Sequence, residues 1–518
     1  MVENGPVRTA GAARDGRMCC ARNHHEEPEI TENPTGRADA DERALRARLA
    51  ARLLDLDATV GVLGRAFAEA GFELALVGGS VRDALLGRPM PDLDFTTDAT
   101  PDEILRVIKP LAEAHWDIGR EFGTIGLRLA GEQVEITTYR AEAYDPDSRK
   151  PQVAFGSSLE DDLVRRDFTI GAMAIRLPEL TFVDPHDGFG DLLSRRLRTP
   201  GAPADSFTDD PLRMMRAARF ASQLGFTVDA DVFAAMRDMA DRIGIVSAER
   251  VRDELVKLMK GAHPRRGIEV LVDSGLADHV LPELSRMREE RDEHRRHKDV
   301  YRHSLTVLDQ AVDLELERQE PDIESPDFIV RFAALMHDCG KPDTKRFEPG
   351  GQVTFHHHDV VGAKLVSRRM KALRFDKDTT KAVARLVELH LRFYGYGDAG
   401  WSDSAVRRYV TDAGPLLSRL HILTRSDVTT RNRRKAERLA HAYDDLERRI
   451  TALQEKERLD AIRPDLDGKQ IMALLDIPPG PLVGKAYAFL LEERMQHGPL
   501  GEEEAARRLR AWWGSVRG

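Results

Sequence analysis

Asp92-Leu93-Asp94 sets two carboxylates two residues apart, just after the turn-and-helix segment Leu76-Val77-Gly78-Gly79-Ser80-Val81-Arg82-Asp83. On a strand, residues i and i+2 point to one face, so both carboxylates project together while Leu93 packs behind. The glycines let backbone approach a ligand closely, and the free N–H groups of a following helix favour an anion. Arg82 falls in the first turn of that helix, placed to grip phosphate with a planar guanidinium. Two carboxylates beside a phosphate cradle suit a pair of Mg²⁺ ions that activate a hydroxyl and neutralise a triphosphate. Singly, a Gly-Gly is a turn signal and an Asp-x-Asp is common on strand ends; the case rests on their order and on Arg82 between them. No Gly-Lys-Ser/Thr sequence occurs, since Gly340-Lys341, Gly468-Lys469 and Gly484-Lys485 continue with Pro, Gln and Ala, so a P-loop is not the phosphate binder.

A second chemical region lies further on. Nine of seventeen histidines (His294, His297, His303, His337, His356, His357, His358, His390, His421) fall between 290 and 430. Among them, the apolar run Ala334-Leu335-Met336 ends on adjacent His337 and Asp338, followed by Gly340-Lys341-Pro342. Imidazole and carboxylate ligands suit one or two transition metals, or Mg²⁺ where carboxylate and water dominate.

These residues need a frame. Residues 41–70 read as an amphipathic helix, Leu74–Val77 as a strand, Ser80–Leu86 as a helix, and Asp92–Thr97, Thr124–Leu129 and Val134–Arg140 as strands, the last two joined as a hairpin through 130–133. Residues 141–160, rich in Pro, Ser, Gly and Asp, read as a mobile loop. From about 205 helical periodicity takes over. The expected fold class is α+β, a small mixed-sheet head followed by an extended all-α neck, body and tail. The expected division is 1–40 a disordered tail, 41–200 the head, 201–290 the neck, 291–430 the histidine-rich domain and 431–518 a helical tail.

Composition narrows the function. The chain has 518 residues, about three or four units by length, and a net charge of −10 from 88 acidic and 78 basic residues, which argues against a polycation coating nucleic acid. No apolar run approaches the roughly 20 residues of a membrane span, and no signal-peptide pattern opens the sequence. Cys19, Cys20 and Cys339 form neither a disulfide framework nor a zinc quartet, so a cytoplasmic location is expected.

The segment Leu76–Arg82 with Asp92 and Asp94 resembles the signature of the polymerase-beta-type nucleotidyltransferases, and more closely that of class II CCA-adding enzymes and bacterial poly(A) polymerases. Further segments follow in that family's order: Arg165-Arg166-Asp167-Phe168-Thr169; Asp184-Pro185 with Gly188, Asp191-Leu192 and Leu197-Arg198-Thr199; Asp209-Asp210-Pro211-Leu212-Arg213-Met214-Met215-Arg216; and Glu249–Lys257. The resemblance covers roughly 70–260. It implies that Asp92 and Asp94 hold two Mg²⁺, that Gly79, Arg82 and Arg166 hold sugar and phosphates, and that Asp210 and Arg213 read the base. Asp210, Arg213, Arg216 and Arg219 recur at three-residue steps, read as one helical face, with Phe220 and Leu224 on the other. Glu135 is a candidate third metal carboxylate by analogy, with a surface strand position as its alternative. The chain departs from the family at Gly171, where Asn is usual, and at Asp209, where Glu is usual.

His303, His337-Asp338, His358, His390 and Asp427 resemble, in order, the metal set of the HD phosphohydrolases, with His358 picked from His356-His357-His358 by its spacing to Gly362. The combined reading is template-independent addition of C, C and A to the 3′ end of tRNA from CTP and ATP, with a divalent metal of unspecified identity at the HD site and a possible phosphatase or phosphodiesterase activity there. No membrane or DNA partner is expected. A poly(A) polymerase shares these motifs, and the mixed charge of 430–518 favours CCA addition over it. An HD phosphohydrolase with a non-catalytic RNA-binding head stays open because of Gly171.

Overall fold

The computed structural model describes residues 34–143, 152–155, 158–288, 299–349, 353–393, 396, 401–430, 432–457 and 463–517. His294, His297, Cys19, Cys20 and most of the expected 1–40 tail lie outside them.

The head is built on a seven-stranded mixed sheet. Its strands are Leu74–Val77 (β1), Asp92–Thr97 (β2), Ala114–Trp116 (β3), Thr124–Leu129 (β4), Glu132–Thr138 (β5), Ala174–Leu177 (β8) and Thr181–Val183 (β9); Arg140–Ala143 (β6) pairs separately with Gln152–Phe155 (β7). The sheet order is β3-β4-β5-β2-β1-β8-β9, with β2 and β5 parallel and every other neighbour antiparallel. Alternation sorts the faces. Leu93, Phe95, Ile125, Leu127, Val134 and Ile136 are fully buried on one side, where helices Val60–Glu69 and Pro101–Ile108 cover them with Leu63, Phe67, Ile104 and Ile108. Each such side chain contributes roughly 1.5–3 kcal/mol on burial. The opposite face carries the polar partners of that alternation, Asp92, Asp94, Glu135 and Thr137 among them.

Three expected strands, at Leu74–Val77, Asp92–Thr97 and Thr124–Leu129, have the bounds read from sequence. Other expectations shift. The helix expected over 41–70 is two, Pro34–Asp55 and Val60–Glu69, and the first begins inside the stretch read as tail. The hairpin turn is shorter than 130–133: Leu129 pairs with Glu132, and Ala130 and Gly131 have φ of 51° and 80°, the two-residue turn whose twist suits a hairpin. The expected strand Val134–Arg140 is shifted to Glu132–Thr138, and the 141–160 stretch read as loop contains most of the β6–β7 pair and the start of the helix Leu159–Val164.

Helices dominate from Pro203 onward. Leu212–Leu224 packs against Ala248–Met259 and Pro264–Asp273. A bundle of Val300–Arg318, Phe328–Met336, His358–Ala372, Lys377–Leu389 and Leu417–Ser426 follows. One buried ion pair ties it to the preceding helices: Arg331 donates to Glu315 (2.7 Å) and to the Met259 and Gly261 carbonyls (3.1 and 2.9 Å). Such a pair is tolerated because the remaining guanidinium protons find acceptors. The last helices, Gly468–Leu475, Pro481–His497 and Glu502–Arg517, enclose a small separate core around Ile471, Leu490 and Leu509.

Candidate active site and metal centre

The head's polar face collects three carboxylates. Asp92 and Asp94 share it, and parallel pairing of β2 with β5 sets Glu135 directly beside Asp94. Of the two readings of Glu135, register favours membership of this cluster. Burial, with Glu135 and Asp92 close by, pushes the Asp94 carboxyl up to about 6 despite the opposing cations Arg166 and Arg82. Carboxylates gathered on one face beside a buried Asp94 are suited to a divalent cation.

Gly78 turns the chain off β1 with φ 70°, ψ −128°, a conformation natural to glycine, and helix Gly79–Leu86 starts there. A Cβ on Gly78 would fall 2.5 Å from an Arg166 guanidinium nitrogen, so Arg166 roofs the turn. Arg166 is itself held by Asp162 (3.0 Å). Ser80 joins the two halves of the site. Its hydroxyl accepts the Asp94 N–H (3.0 Å) and donates to the Asp92 carbonyl (3.2 Å). Sequence reasoning passed over this role, because it links residues twelve and fourteen apart. Arg82 lies where expected, but both oxygens of Asp83 take its bidentate grip (2.9 and 2.8 Å), and its guanidinium lies 5.1 Å from the Phe220 ring centroid.

The face expected for Asp210, Arg213, Arg216 and Arg219 needs correction. Asp210 is extended (φ −142°, ψ 101°) and precedes the Leu212–Leu224 helix, because Pro211 restricts the residue before it. Its carboxylate accepts the Leu212 N–H (3.1 Å) and Arg250 (2.7 Å). Arg213 donates to the Arg165 carbonyl (2.6 Å) and the Ser206 hydroxyl (2.8 Å), so it reaches the Arg165–Thr169 segment. Arg216 pairs with Asp167 (2.8 Å). Arg219 is buried against Glu254 (3.0 Å) and stacks 4.2 Å from the Phe220 centroid; burial lowers its proton affinity. Its guanidinium is taken up by Glu254 and the Phe220 ring. Phe220 and Leu224 are buried as expected.

Gly171 closes the short turn Thr169–Gly171 near Asp167. A Cβ there would meet Asp167 at 3.5 Å, ordinary contact. Asp167 does not depend on an amide from position 171: the Phe168 N–H (2.9 Å) and Arg216 hold it. Asp191 is fully buried between Thr169 (2.6 Å), Arg196 (3.0 Å) and Arg198 (3.0 Å), and Asp184 accepts the Gly188 and Phe189 N–H groups (2.7 and 2.9 Å).

The second site is assembled from five helix ends. His303 lies in the first turn of Val300–Arg318; His337 and Asp338 follow Phe328–Met336; His358 opens its helix; His390 follows Lys377–Leu389; Asp427 caps Leu417–Ser426. They form two groups able to hold a metal ion, His303/His337/Asp427 and Asp338/His358/His390. Asp338 stands between them, 3.3 Å from His337 Nε2 and 3.3 Å from His358 Nε2. His337, His358 and His390 each engage Nδ1 with the carbonyl three residues earlier (2.9, 2.8 and 2.6 Å), which turns Nε2 inward as a lone-pair donor. His390 Nε2 is buried without a hydrogen-bond partner, while Lys341 (2.8 Å) and His337 (3.3 Å) lie against Asp338 Oδ2. Residues so arranged fit a divalent metal. Burial opposes charge on His337, but Asp338 and Asp427 outweigh it and push the imidazole up to about 10, so a metal would take Nε2 in place of that proton; burial and His337 push His390 down to about 4. His358, the histidine singled out by its spacing to Gly362, is buried in the cluster, while His356 and His357 are exposed. The reason is close packing: a Cβ on Gly340 would fall 2.6 Å from Gly362 N, so these glycines let His358 reach Asp338.

Three family models match in sequence: the poly A polymerase head domain over 74–198, a probable RNA and SrmB-binding site of polymerase A over 225–287, and the HD domain over 300–432. The A-adding tRNA nucleotidyltransferase of Deinococcus radiodurans is 35% identical over 447 residues, covering 85% of this chain and 95% of that protein. The CCA-adding enzyme of Levilactobacillus brevis is 44% identical over 209 residues, 40% of this chain; the match spans 51% of that relative's length. In fold, the chain is similar to the Bacillus stearothermophilus CCA-adding enzyme in complex with CTP (TM-score 0.64, 22% identity, 89% of this chain and 98% of that one). It is also similar to the Thermotoga maritima CCA-adding enzyme complexed with tRNA (TM-score 0.56, 18% identity, 91% and 98%). With the carboxylate face, the glycine turn and the HD cluster all within the matched span, the chain belongs to the tRNA nucleotidyltransferase and poly(A) polymerase family.

Proposed function

We propose that this protein adds C, C and A to the 3′ end of tRNA, from CTP and ATP. The observation that carries the reading is the placement of Asp92, Asp94 and Glu135 side by side next to the Gly78–Gly79 turn under Arg166. Mg²⁺ held by Asp92 and Asp94 would supply the charge that neutralises the triphosphate and acidifies the attacking hydroxyl. The chain's residues do the rest. The N–H groups at Gly79 and the Arg166 guanidinium hold phosphate oxygens; Arg82 joins them if Asp83 yields it. Asp210 and Arg213 present acceptor and donors to the base, with Arg216 bracing Asp167 behind them. The tRNA hydroxyl attacks the α-phosphate in line, and pyrophosphate leaves. The head (41–200), neck (201–290), HD domain (291–430) and tail (431–518) are the units of this reading, in a cytoplasmic enzyme. tRNA, CTP and ATP are its partners.

The direct test supplies tRNA lacking its terminal CCA with each labelled nucleotide. Incorporation of C, C and then one A supports the proposal; long A tracts would replace it with a poly(A) polymerase. A second reading, addition of the final A alone to tRNA ending in CC, is favoured by the Deinococcus relative, whose similarity spans nearly its whole length. It predicts no C incorporation at all. At the HD site we propose metal-dependent hydrolysis of phosphate esters at RNA ends, with Lys341, 2.8 Å from Asp338, beside the ligands as a phosphate-facing cation. Hydrolysis of a 2′,3′-cyclic phosphate or a 3′-phosphate, lost in His337→Ala, tests it. Loss of nucleotide addition in Asp92→Ala with that hydrolysis intact would exclude a non-catalytic head.

A further inference from the structure

Register runs straight across four strands: Asp94 pairs with Glu135, Glu135 with Gly126, and Gly126 with Trp116. Paired residues share a face, so Trp116 lies in the row of the carboxylates, at the β3 edge. Gly126 is what seats it. A Cβ on Gly126 would overlap the indole itself, meeting Nε1, Cε2 and Cδ1, so the ring lies back over the glycine toward Glu135. With strands about 4.8 Å apart, Gly126 is on the order of 10 Å from Asp94. The indole is only half-buried, and Ile118 (87% exposed) and Phe122 (49% exposed) follow it in the β3–β4 connection.

The two sides of the carboxylates differ. The phosphate cradle, Gly78–Gly79 with Arg166, stands on the β1 side. In-line attack requires the hydroxyl to arrive from the side opposite the leaving pyrophosphate, which is the β5–β4–β3 side. The nucleotide bearing that hydroxyl therefore comes to rest over Glu135 and Gly126. A flat aromatic ring at that distance suits a base, since every nucleobase has a π-face and stacking needs no particular sequence. We propose that Trp116, seated by Gly126, is a stacking platform for the 3′-terminal base of the RNA acceptor. The inference rests on the proposed nucleotide addition. It gives the acceptor strand a subsite separate from the neck residues that read the incoming base.

The test compares wild type with Trp116→Ala and Trp116→Phe, using tRNA lacking CCA. Trp116→Ala should raise KM for tRNA about tenfold, the scale of one lost base–aromatic stack, with KM for the nucleotide unchanged. Trp116→Phe should restore most of it, which a lost core contact would not predict for the acceptor alone. A 2-aminopurine placed at the RNA 3′ end should be quenched on binding wild type and Trp116→Phe, and stay bright with Trp116→Ala. An unchanged KM for tRNA in Trp116→Ala, or equal quenching by both variants, overturns the subsite while leaving nucleotide addition standing. A wild-type protein that adds nothing to any RNA end overturns the underlying reading instead.

Discussion

The two candidate metal sites are built on opposite plans. In the head, three carboxylates stand on the face of a sheet, with Asp92 exposed and Asp94 and Glu135 half-buried, and no imidazole among them. In the HD bundle, His337, Asp338 and His390 are almost wholly buried, and three imidazoles are pre-turned by the carbonyls three residues before them. An open oxygen-rich site suits a cation that arrives and leaves with a triphosphate; a closed nitrogen-rich one suits a resident ion. The contrast teaches that one chain can set two candidate metal sites apart by coordination plan alone.

The largest effect that would break this contrast is at Asp92. Asp92→Ala should reduce nucleotide addition on the order of 10³-fold or more, measured by label incorporation, while metal content at the HD site is unchanged. Persisting incorporation would mean that the chemistry lies elsewhere. The converse change, His337→Ala, should weaken HD-site metal retention at least about 100-fold, read by elemental analysis after dialysis, and leave nucleotide addition intact. Equal loss of both activities in either variant would merge the two sites into one.

A smaller effect concerns the open site alone. The Asp94 carboxyl holds its proton to about pH 6 in the folded state, against 3.8 for the free group. The folded state thus binds more protons between those values, and stability falls as pH rises through that window. The deficit remains at pH 7. Asp94→Asn in metal-free buffer should therefore stabilise the fold at pH 7 by about 1–3 kcal/mol, with little change at pH 4; a destabilised variant at pH 7 would reverse the sign. Glycines in the two sites should differ in sign as well. Gly171→Ala fits ordinary space and should stabilise by about 0.4–1 kcal/mol. Gly340→Ala meets backbone of the His358–Ala372 helix and should destabilise by about 1–3 kcal/mol. Thermal unfolding of the pair checks both.

Much of this was legible in the sequence because it was local. A Gly-Gly turn, an Asp-x-Asp strand and a His-Asp pair are read within a few residues, and three strands kept their expected bounds. Glu135 stayed ambiguous because its place beside Asp94 depends on pairing across 41 residues, which periodicity does not report. Asp210 was misread as helical because three-residue spacing says nothing of where a helix begins, although Pro211 was there to say it. Arg219 looked like its neighbours until Glu254 claimed it. Ser80 and Trp116 carried no signal at all: a serine at a helix start and a tryptophan on a short strand become informative only when register and packing are known.

The Ser80 hydroxyl has a consequence for how such an enzyme could change its mind between nucleotides. One atom is shared by the helix that opens at the glycine turn and by both ends of the Asp92–Asp94 backbone. In the proposed reaction, the gap between a triphosphate and its carboxylates would be fixed like the jaws of a gauge. Cytidine and adenosine would meet identical jaws, and any preference between them must be exercised by parts mounted elsewhere, on the far side of the Arg165 carbonyl that Arg213 grips.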